Sequence, residues 1–262
     1  MALAYREKSV IAELGSDLTE LAGVNDRAQL AEATRQLQTR IITALMRSGV
    51  TMIDPLTTWV EPTVQLAPDV TLLPGVSLRG QTVVEAGAEI GPNSEIVDSR
   101  IGPRSRVRWS VIEQATVGAD VTIGPFSHLR PGSIIADGVH IGNFAEIKDS
   151  RLGPNTKVGH FSYLGDAEVG AEVNIGAGTV TCNYDVETDT KSKTVIGDYA
   201  AIGSDTMLVA PVSVGDGAVT GAGSVVTHDL KAGEVAVGVP ARVVRQSRRK
   251  LPKGNDALRE ND

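Results

Sequence analysis

Aliphatic residues recur every six positions through the middle of the chain. Val117, Ile123, Leu129, Ile135, Ile141 and Ile147 form one unbroken run, and Ile196, Ile202, Leu208 and Val214 form another. Between them Leu152, Val158 and Leu164, then Val169 and Ile175, keep the same step within each group, with an offset of five between groups. Neither the helical period of about 3.6 nor the strand period of 2 produces such a beat. Glycine commonly follows the aliphatic, as in Ile123-Gly124, Ile141-Gly142, Val158-Gly159, Leu164-Gly165 and Ile202-Gly203. Hexapeptide repetition of this kind is the signature of a parallel β-helix. Three hexads close one coil of three short faces, and each aliphatic points into a narrow prism, stacked about 4.8 Å from its counterparts in adjacent coils. From about Val70 to Val239 there is room for roughly nine or ten coils of about 18 residues, a repeat whose stability accrues coil by coil.

Composition fits this core. Aromatics make up 3% of the 262 residues while glycine reaches 28 residues, so the interior must be aliphatic and tightly layered. The single cysteine, Cys182, excludes an intramolecular disulfide and fits a reducing compartment; the N-terminus has neither a basic nor an apolar signal region, so a cytoplasmic protein is expected. No apolar run approaches the roughly 18 residues of a membrane span. A net charge of −7 argues against a general nucleic-acid binder. Neither membrane nor nucleic acid is therefore an expected partner; small molecules are.

Two segments depart from the beat. Leu30, Ala33, Leu37, Ile41, Ala44 and Leu45 follow helical spacing, with Asp26 and Gln29 placed like a capping box and Gly49 just past the end. Residues 183–193, "NYDVETDTKSK", fit no hexad and must leave the prism as a loop, where function tends to sit in rigid repeat scaffolds. A further singularity is His160, two places after the inward Val158 and so on the outer surface of a rigid coil, with Tyr163 three residues on. It reads either as a solvated surface histidine or as a general base, since imidazole titrates near neutral pH.

The runs "LRPGSIIADGVHIGNFAEIKDSRLGPNTKVGHFSYLGDAEVGAEVNIGAGTVTCNYD" and "KTVIGDYAAIGSDTMLVAPVSVGDGAVTGAGSVVT" resemble the acetyltransferase half of the bacterial bifunctional N-acetylglucosamine-1-phosphate uridyltransferase / glucosamine-1-phosphate acetyltransferases, over about residues 20–230. The resemblance implies a left-handed β-helix and transfer of acetyl from acetyl-CoA to the amine of glucosamine 1-phosphate, in sites shared between the subunits of a homotrimer. It makes His160 the general base, which Glu146 could orient. Asn183 and Tyr184 match the pair at the reaction centre. Arg130 and Lys148 match the phosphate-binding cations, Tyr163 and Asn174 the sugar contacts, and Lys191, with Lys193 as a rival, the lysine that reaches a neighbouring subunit's phosphate. Ala177, Ser204 and Ala222 match the contacts to the coenzyme's pantetheine arm, and Arg242 is the candidate for its phosphates. The domains then read as a leader or remnant at 1–25, a connector helix at 26–50, the β-helix at 51–240 and a basic tail at 241–262 that carries Arg245, Arg248, Arg249 and Lys250. The Gly-rich nucleotide loop of the uridyltransferase half is absent from this sequence, so uridyl transfer and its magnesium are not expected.

Other functions use the same fold. A γ-type carbonic anhydrase would need histidines around zinc, but His128 and His140 lie 12 residues apart, on different faces, and with His160 and His228 they give no convincing ligand set; no metal is expected. An acyltransferase for another amino sugar or for serine, and a non-catalytic β-helical binding trimer, are the remaining alternatives.

Overall fold

The computed structural model describes residues 23–249. The expected helix, α1, spans Arg27–Arg47. The Asp26 carboxylate accepts from the Gln29 amide at 2.7 Å, and the Gln29 side chain reaches back to the Asn25 amide at 2.7 Å, so two otherwise orphaned donors are satisfied. At the other end Gly49 takes φ 103°, a conformation that suits glycine and lets the chain turn out of the helix into the first coil. The helix buries Ile42 against that coil. Its Gln38 amide donates to the Val60 carbonyl at 2.9 Å and accepts from the Val60 amide at 3.2 Å. One side chain thus occupies the hydrogen-bonding positions that a preceding strand would fill, and the open end of the ladder is blunted.

From Thr51 onward the chain winds as a parallel β-helix of three sheets, with 12, 10 and 9 strands. The first face runs from Thr51–Met52 to Glu234–Val237, the second from Trp59–Val60 to Val225–Val226, and the third from Gln65–Leu66 to Val212–Val214. On the first face Ile123 is in register with Ile141, Ile141 with Val158, Val158 with Ile175 and Ile175 with Ile202. Leu129, Ile147 and Leu164 stack likewise on the second face, and Val117, Ile135, Leu152, Val169, Ile196 and Val214 on the third. Every one of these side chains is buried. The five-residue offsets fall at the corner between second and third faces, where Asp149 and Asp166 take φ 45° and 51° and tighten the turn. Short aspartates tolerate this left-handed conformation better than other side chains.

Thr181 and Thr220 take inward positions that the six-residue beat would give to aliphatics. The Thr181 hydroxyl accepts from the Gly165 amide at 2.7 Å and donates to the Gly165 carbonyl at 3.0 Å, so its polarity is spent inside the wall. Immediately beyond it the chain leaves the prism as the expected loop, closed by an antiparallel hairpin of Tyr184–Asp185 with Thr190–Lys191. At the far end Arg242–Gln246 folds back antiparallel on Glu234–Val237, so the first sheet continues past the expected boundary at residue 240. Of the expected leader at 1–25, residues 1–22 lie outside the described residues, as does the tail beyond residue 249.

Corner glycines make the stacking close. We call the edge between first and second faces the first corner and that between second and third faces the second corner. Along the first corner, a Cβ on Gly142 would overlap the Gly159 carbonyl; one on Gly176 would meet the Ser204 amide at 2.5 Å and one on Gly203 the Thr220 carbonyl at 2.6 Å. Gly159 is the exception in this column, with nothing within 4 Å of its Cβ direction. Gly142→Ala is therefore expected to destabilise the protein by about 1–3 kcal/mol through overpacking, while Gly159→Ala stays within about 1 kcal/mol of the parent because the added methyl meets only open space. Urea unfolding of both variants checks this; equal losses would show that the opening above Gly159 is closed in solution.

Candidate active site

The residues singled out in the sequence gather at two corners of the prism. His160 ends the first-face strand Lys157–His160 and is exposed at the first corner. Its Nδ1 lies 3.1 Å from Oδ1 of Asn143, its partner in the coil below. An acceptor there suits donation from Nδ1, which leaves Nε2 as the ring nitrogen available to accept a proton. Within one chain Glu146, expected to orient the imidazole, does not reach it: its register partners are His128 and Tyr163, and its carboxylate accepts from Arg130 Nη1 at 2.7 Å. The two-residue step from a first-face end to a second-face start puts Asn143, not Glu146, under the ring.

Above His160 the ladder skips. The Gly178 amide donates to the Phe161 carbonyl at 3.2 Å, and the His160 carbonyl accepts instead from the Ser162 hydroxyl at 2.7 Å. This irregularity coincides with the open space over Gly159. Regular stacking resumes with Ala177, Ser204 and Ala222, which form one column up the same corner: the Asp205 amide donates to Ala177 at 2.6 Å and the Gly223 amide to Ser204 at 2.8 Å. Asn174 opens the strand that leads to Ala177 and is exposed on the first face beside Lys157. Arg242 lies on the closing strand at the top of that face, its guanidinium donating to the Ala241 carbonyl at 3.0 Å.

The second corner holds the cations. Lys148 ends a second-face strand, Arg130 directly follows the strand His128–Leu129 on the same face, and Lys191 is brought over them by the hairpin. The Lys148 amine is pushed below the usual lysine range by Lys191, with Arg130 adding to the effect. The Lys191 amine, in turn, is raised by its hydrogen bond to Lys148 and by the Asp166 carboxylate. Lys193, the rival, returns to the third face and pairs with Glu168 at 2.8 Å. Tyr163 shares the field of Arg130 and Lys191. Its hydroxyl and the Asn183 amide both crowd the space where a Cβ of Gly165 would stand, so glycine there is what lets the two side chains meet. Asn183 is 8% exposed and its Nδ2 donates to the Asp166 carboxylate. Tyr184 is exposed and donates to Asp189 at 2.7 Å, which raises its phenol pKa.

Asn143, Gly165, Asp166 and Thr181 are site neighbours that sequence reading missed. The repeat itself could have found two of them: Asn143 stands one coil below His160, and Thr181 is where the hexad beat loses its aliphatic. The remaining histidines are dispersed, His128 against Glu113 at 2.8 Å, His140 against Thr122 at 2.7 Å and His228 against Thr227 at 2.9 Å. Among the described residues no three His, Cys, Asp or Glu side chains form a set that could hold a metal ion, and no helix is long and apolar enough to cross a membrane.

The profile of the bacterial transferase hexapeptide family (six repeats) matches residues 114–149 and 193–228. The bifunctional protein GlmU of Carboxydothermus hydrogenoformans is 49% identical over 244 residues, 93% of this chain and 54% of the relative. GlmU of Streptococcus equi subsp. zooepidemicus is 46% identical over 251 residues, 95% of this chain and 54% of the relative. Among solved structures, a Francisella novicida UDP-N-acetylglucosamine acyltransferase aligns over 75% of this chain and 70% of its own, with a TM-score of 0.48 and 16% identity. The chain spans about half the length of the curated relatives it matches. The hexapeptide coils thus carry repeats that match the bacterial transferase hexapeptide model, and over most of its length the chain is similar to about half of the bifunctional protein GlmU.

Proposed function

We propose that the chain transfers acetyl from acetyl-CoA to the amine of glucosamine 1-phosphate, in a homotrimer whose sites are shared between subunits. The observation that carries this reading is the convergence of Arg130, Lys148 and Lys191 in a clamp at one corner, with Glu146 and Asp166 among them, while an imidazole beside open space stands at the other corner. Arginine suits two-point contact with phosphate and lysine supplies a point charge. The amino sugar arrives mostly as an ammonium. His160 Nε2 takes a proton from it and passes that proton to solvent; the freed nitrogen attacks the thioester carbonyl, His160 takes a second proton from the now positive nitrogen, the C–S bond breaks, and the imidazolium gives that proton to the leaving thiolate. The oxyanion formed on the way is met by backbone amide at the loop start, near Asn183 and Tyr184. Small side chains at Ala177, Ser204 and Ala222 let the pantetheine arm approach the wall closely, with Arg242 toward its phosphates; Asn174 and Tyr163 contact the sugar. No metal takes part.

Sharing between subunits follows from the width of the second face. Five residues separate His160 from Gly165 at the second corner, on the order of 15 Å along an extended strand. One chain therefore holds the base and the clamp on different edges, and a threefold arrangement brings the first corner of one copy to the second corner of the next. The first corner also carries a column of exposed rings, Trp109, Phe126, Phe144 and Phe161, with successive centroids 6.4 and 5.4 Å apart over the first three. Exposed apolar surface of this kind marks a protein contact.

His160→Ala is expected to keep the fold and to lose about 10²–10⁴ in rate, since the side chain is outward and its loss removes only the base. Release of free thiol from acetyl-CoA with glucosamine 1-phosphate measures it. Co-expression with Asn183→Ala should restore activity, because about a quarter of sites in randomly mixed trimers then combine an intact His160 with an intact Asn183 from its neighbour. Mixed particles as inactive as either parent would place the whole site within one chain.

Arg130→Ala should lower kcat/KM for the phosphorylated sugar by about 10- to 100-fold, the worth of a charge-assisted hydrogen bond. Its effect on the poor reaction with unphosphorylated glucosamine should be small, because that substrate leaves the clamp empty. Comparable losses on both would favour an acyltransferase acting on a different amino sugar.

The clamp also has a pH signature. Phosphate binding favours charged lysines, and the depressed Lys148 loses its charge at lower pH than an ordinary lysine. KM for glucosamine 1-phosphate should therefore rise on the alkaline side, and Lys191→Ala, which removes the main cause of the depression, should move that rise to higher pH. A rise at the same pH in both proteins would mean that the lysines do not touch.

A further inference from the structure

Asp166 stands at the centre of the second corner, yet as a carboxylate among cations it does not itself grip an anion. Its backbone is tied to the coils on both sides: its amide donates to the Lys148 carbonyl at 3.1 Å and its carbonyl accepts from the Thr194 amide at 3.1 Å. Its carboxylate accepts from Asn183 Nδ2 and faces the Lys148 and Lys191 amines. Asn183 is equally fixed in its main chain, donating to the Thr181 carbonyl and accepting from the Ser192 amide, each at 2.9 Å. The freedom left to Asn183 is which end of its amide points where.

A carboxylate only accepts, so it admits the NH2 end of the amide and repels the oxygen. We propose that Asp166 is a positioning residue that acts through Asn183, holding the amide with Nδ2 inward so that Oδ1 is presented to the amino group of the sugar. The inference rests on the acetyl-transfer reading above. Its chemical consequence is direct. An outward oxygen accepts N–H from the ammonium, and again from the nitrogen as it gains positive charge during attack on the thioester. The reversed amide would donate to the lone pair that has to attack, and would hold it in the ground state. The Asp166 charge has a second effect, since it offsets part of the positive charge of the clamp.

These effects separate by substitution. Asp166→Ala should lower kcat by about 10- to 100-fold, the loss of one charge-assisted hydrogen bond, without raising KM for glucosamine 1-phosphate, since removal of a negative charge does not weaken the grip on an anion. Asp166→Asn, whose side-chain oxygen can still accept from Asn183 Nδ2, should recover kcat to within about threefold of the parent. In an Asn183→Ala background Asp166→Ala should cost less than about twofold more, because residues that act as a unit are not additive. If Asp166→Ala does not fold, Asp166→Ser completes the same cycle with a side chain too short to reach the amide. Losses that multiply in the double variant, or a rise in KM at unchanged kcat, would overturn the positioning role while leaving acetyl transfer standing. A wild-type protein that releases no thiol with acetyl-CoA and glucosamine 1-phosphate would overturn both.

Discussion

Parallel backbone hydrogen bonding between coils, in one register from bottom to top, is the constraint on which the molecule depends. Because each coil repeats its three faces, an inward aliphatic such as Ile141 always meets another, Ile123 below and Val158 above. A slip of one residue would turn the inward row to solvent on that face, so the register is held by every rung at once. Contacts reach only the neighbouring coils, which is the ordinary condition of a repeat protein, and the two ends need separate solutions. Gln38 from the helix satisfies both backbone groups of Val60 at the bottom of the second face, and Arg242–Gln246 covers the top of the first.

The same regularity made the fold legible in the sequence and concealed part of the site. A period of six announces the prism, its inward residues and the extruded loop, because all three follow from where the repeat holds and where it fails. Partnership across coils follows a different rule: it depends on how many residues each corner consumes. His160 lies on Asn143 rather than beside Glu146 because the first-face strand runs on to residue 160 before the corner turns, a detail of two residues that hydrophobic spacing does not encode. Asp166 was invisible for a related reason. As a corner aspartate with φ 51° it looks like many others in this chain, and its role depends on a side chain that arrives from the next coil.

Electrostatics at the second corner show what the scaffold does that a flexible chain could not. Lys191 and, more weakly, Arg130 press on the Lys148 amine and lower its pKa. Left to themselves such side chains would separate. Backbone bonding along the second face fixes the Cα positions of Arg130 and Lys148, and the hairpin fixes that of Lys191, so the three side chains start from neighbouring points. A dianion placed among them relieves that pressure. In the proposed reaction the phosphate supplies binding and a fixed point from which the amine is held, and the energy of the clamp is turned into orientation at the reacting nitrogen.

Why the loop leaves the prism where it does follows from Thr181. An aliphatic at this inward position would fill the core but offer nothing to the wall; the threonine hydroxyl instead bonds both backbone groups of Gly165. That fixes the segment in which Gly165 leaves room for Tyr163 and Asn183 and Asp166 turns the corner. Two residues after Thr181 the chain reaches Asn183, whose backbone closes on Thr181 itself and on Ser192 across the base of the hairpin. The polar rung therefore anchors both sides of the loop exit, the wall below it and the strand that departs. Interrupting the aliphatic ladder at this rung weakens the core locally, and what the interruption secures is a fixed origin for the segment that carries Asn183, Tyr184 and Lys191.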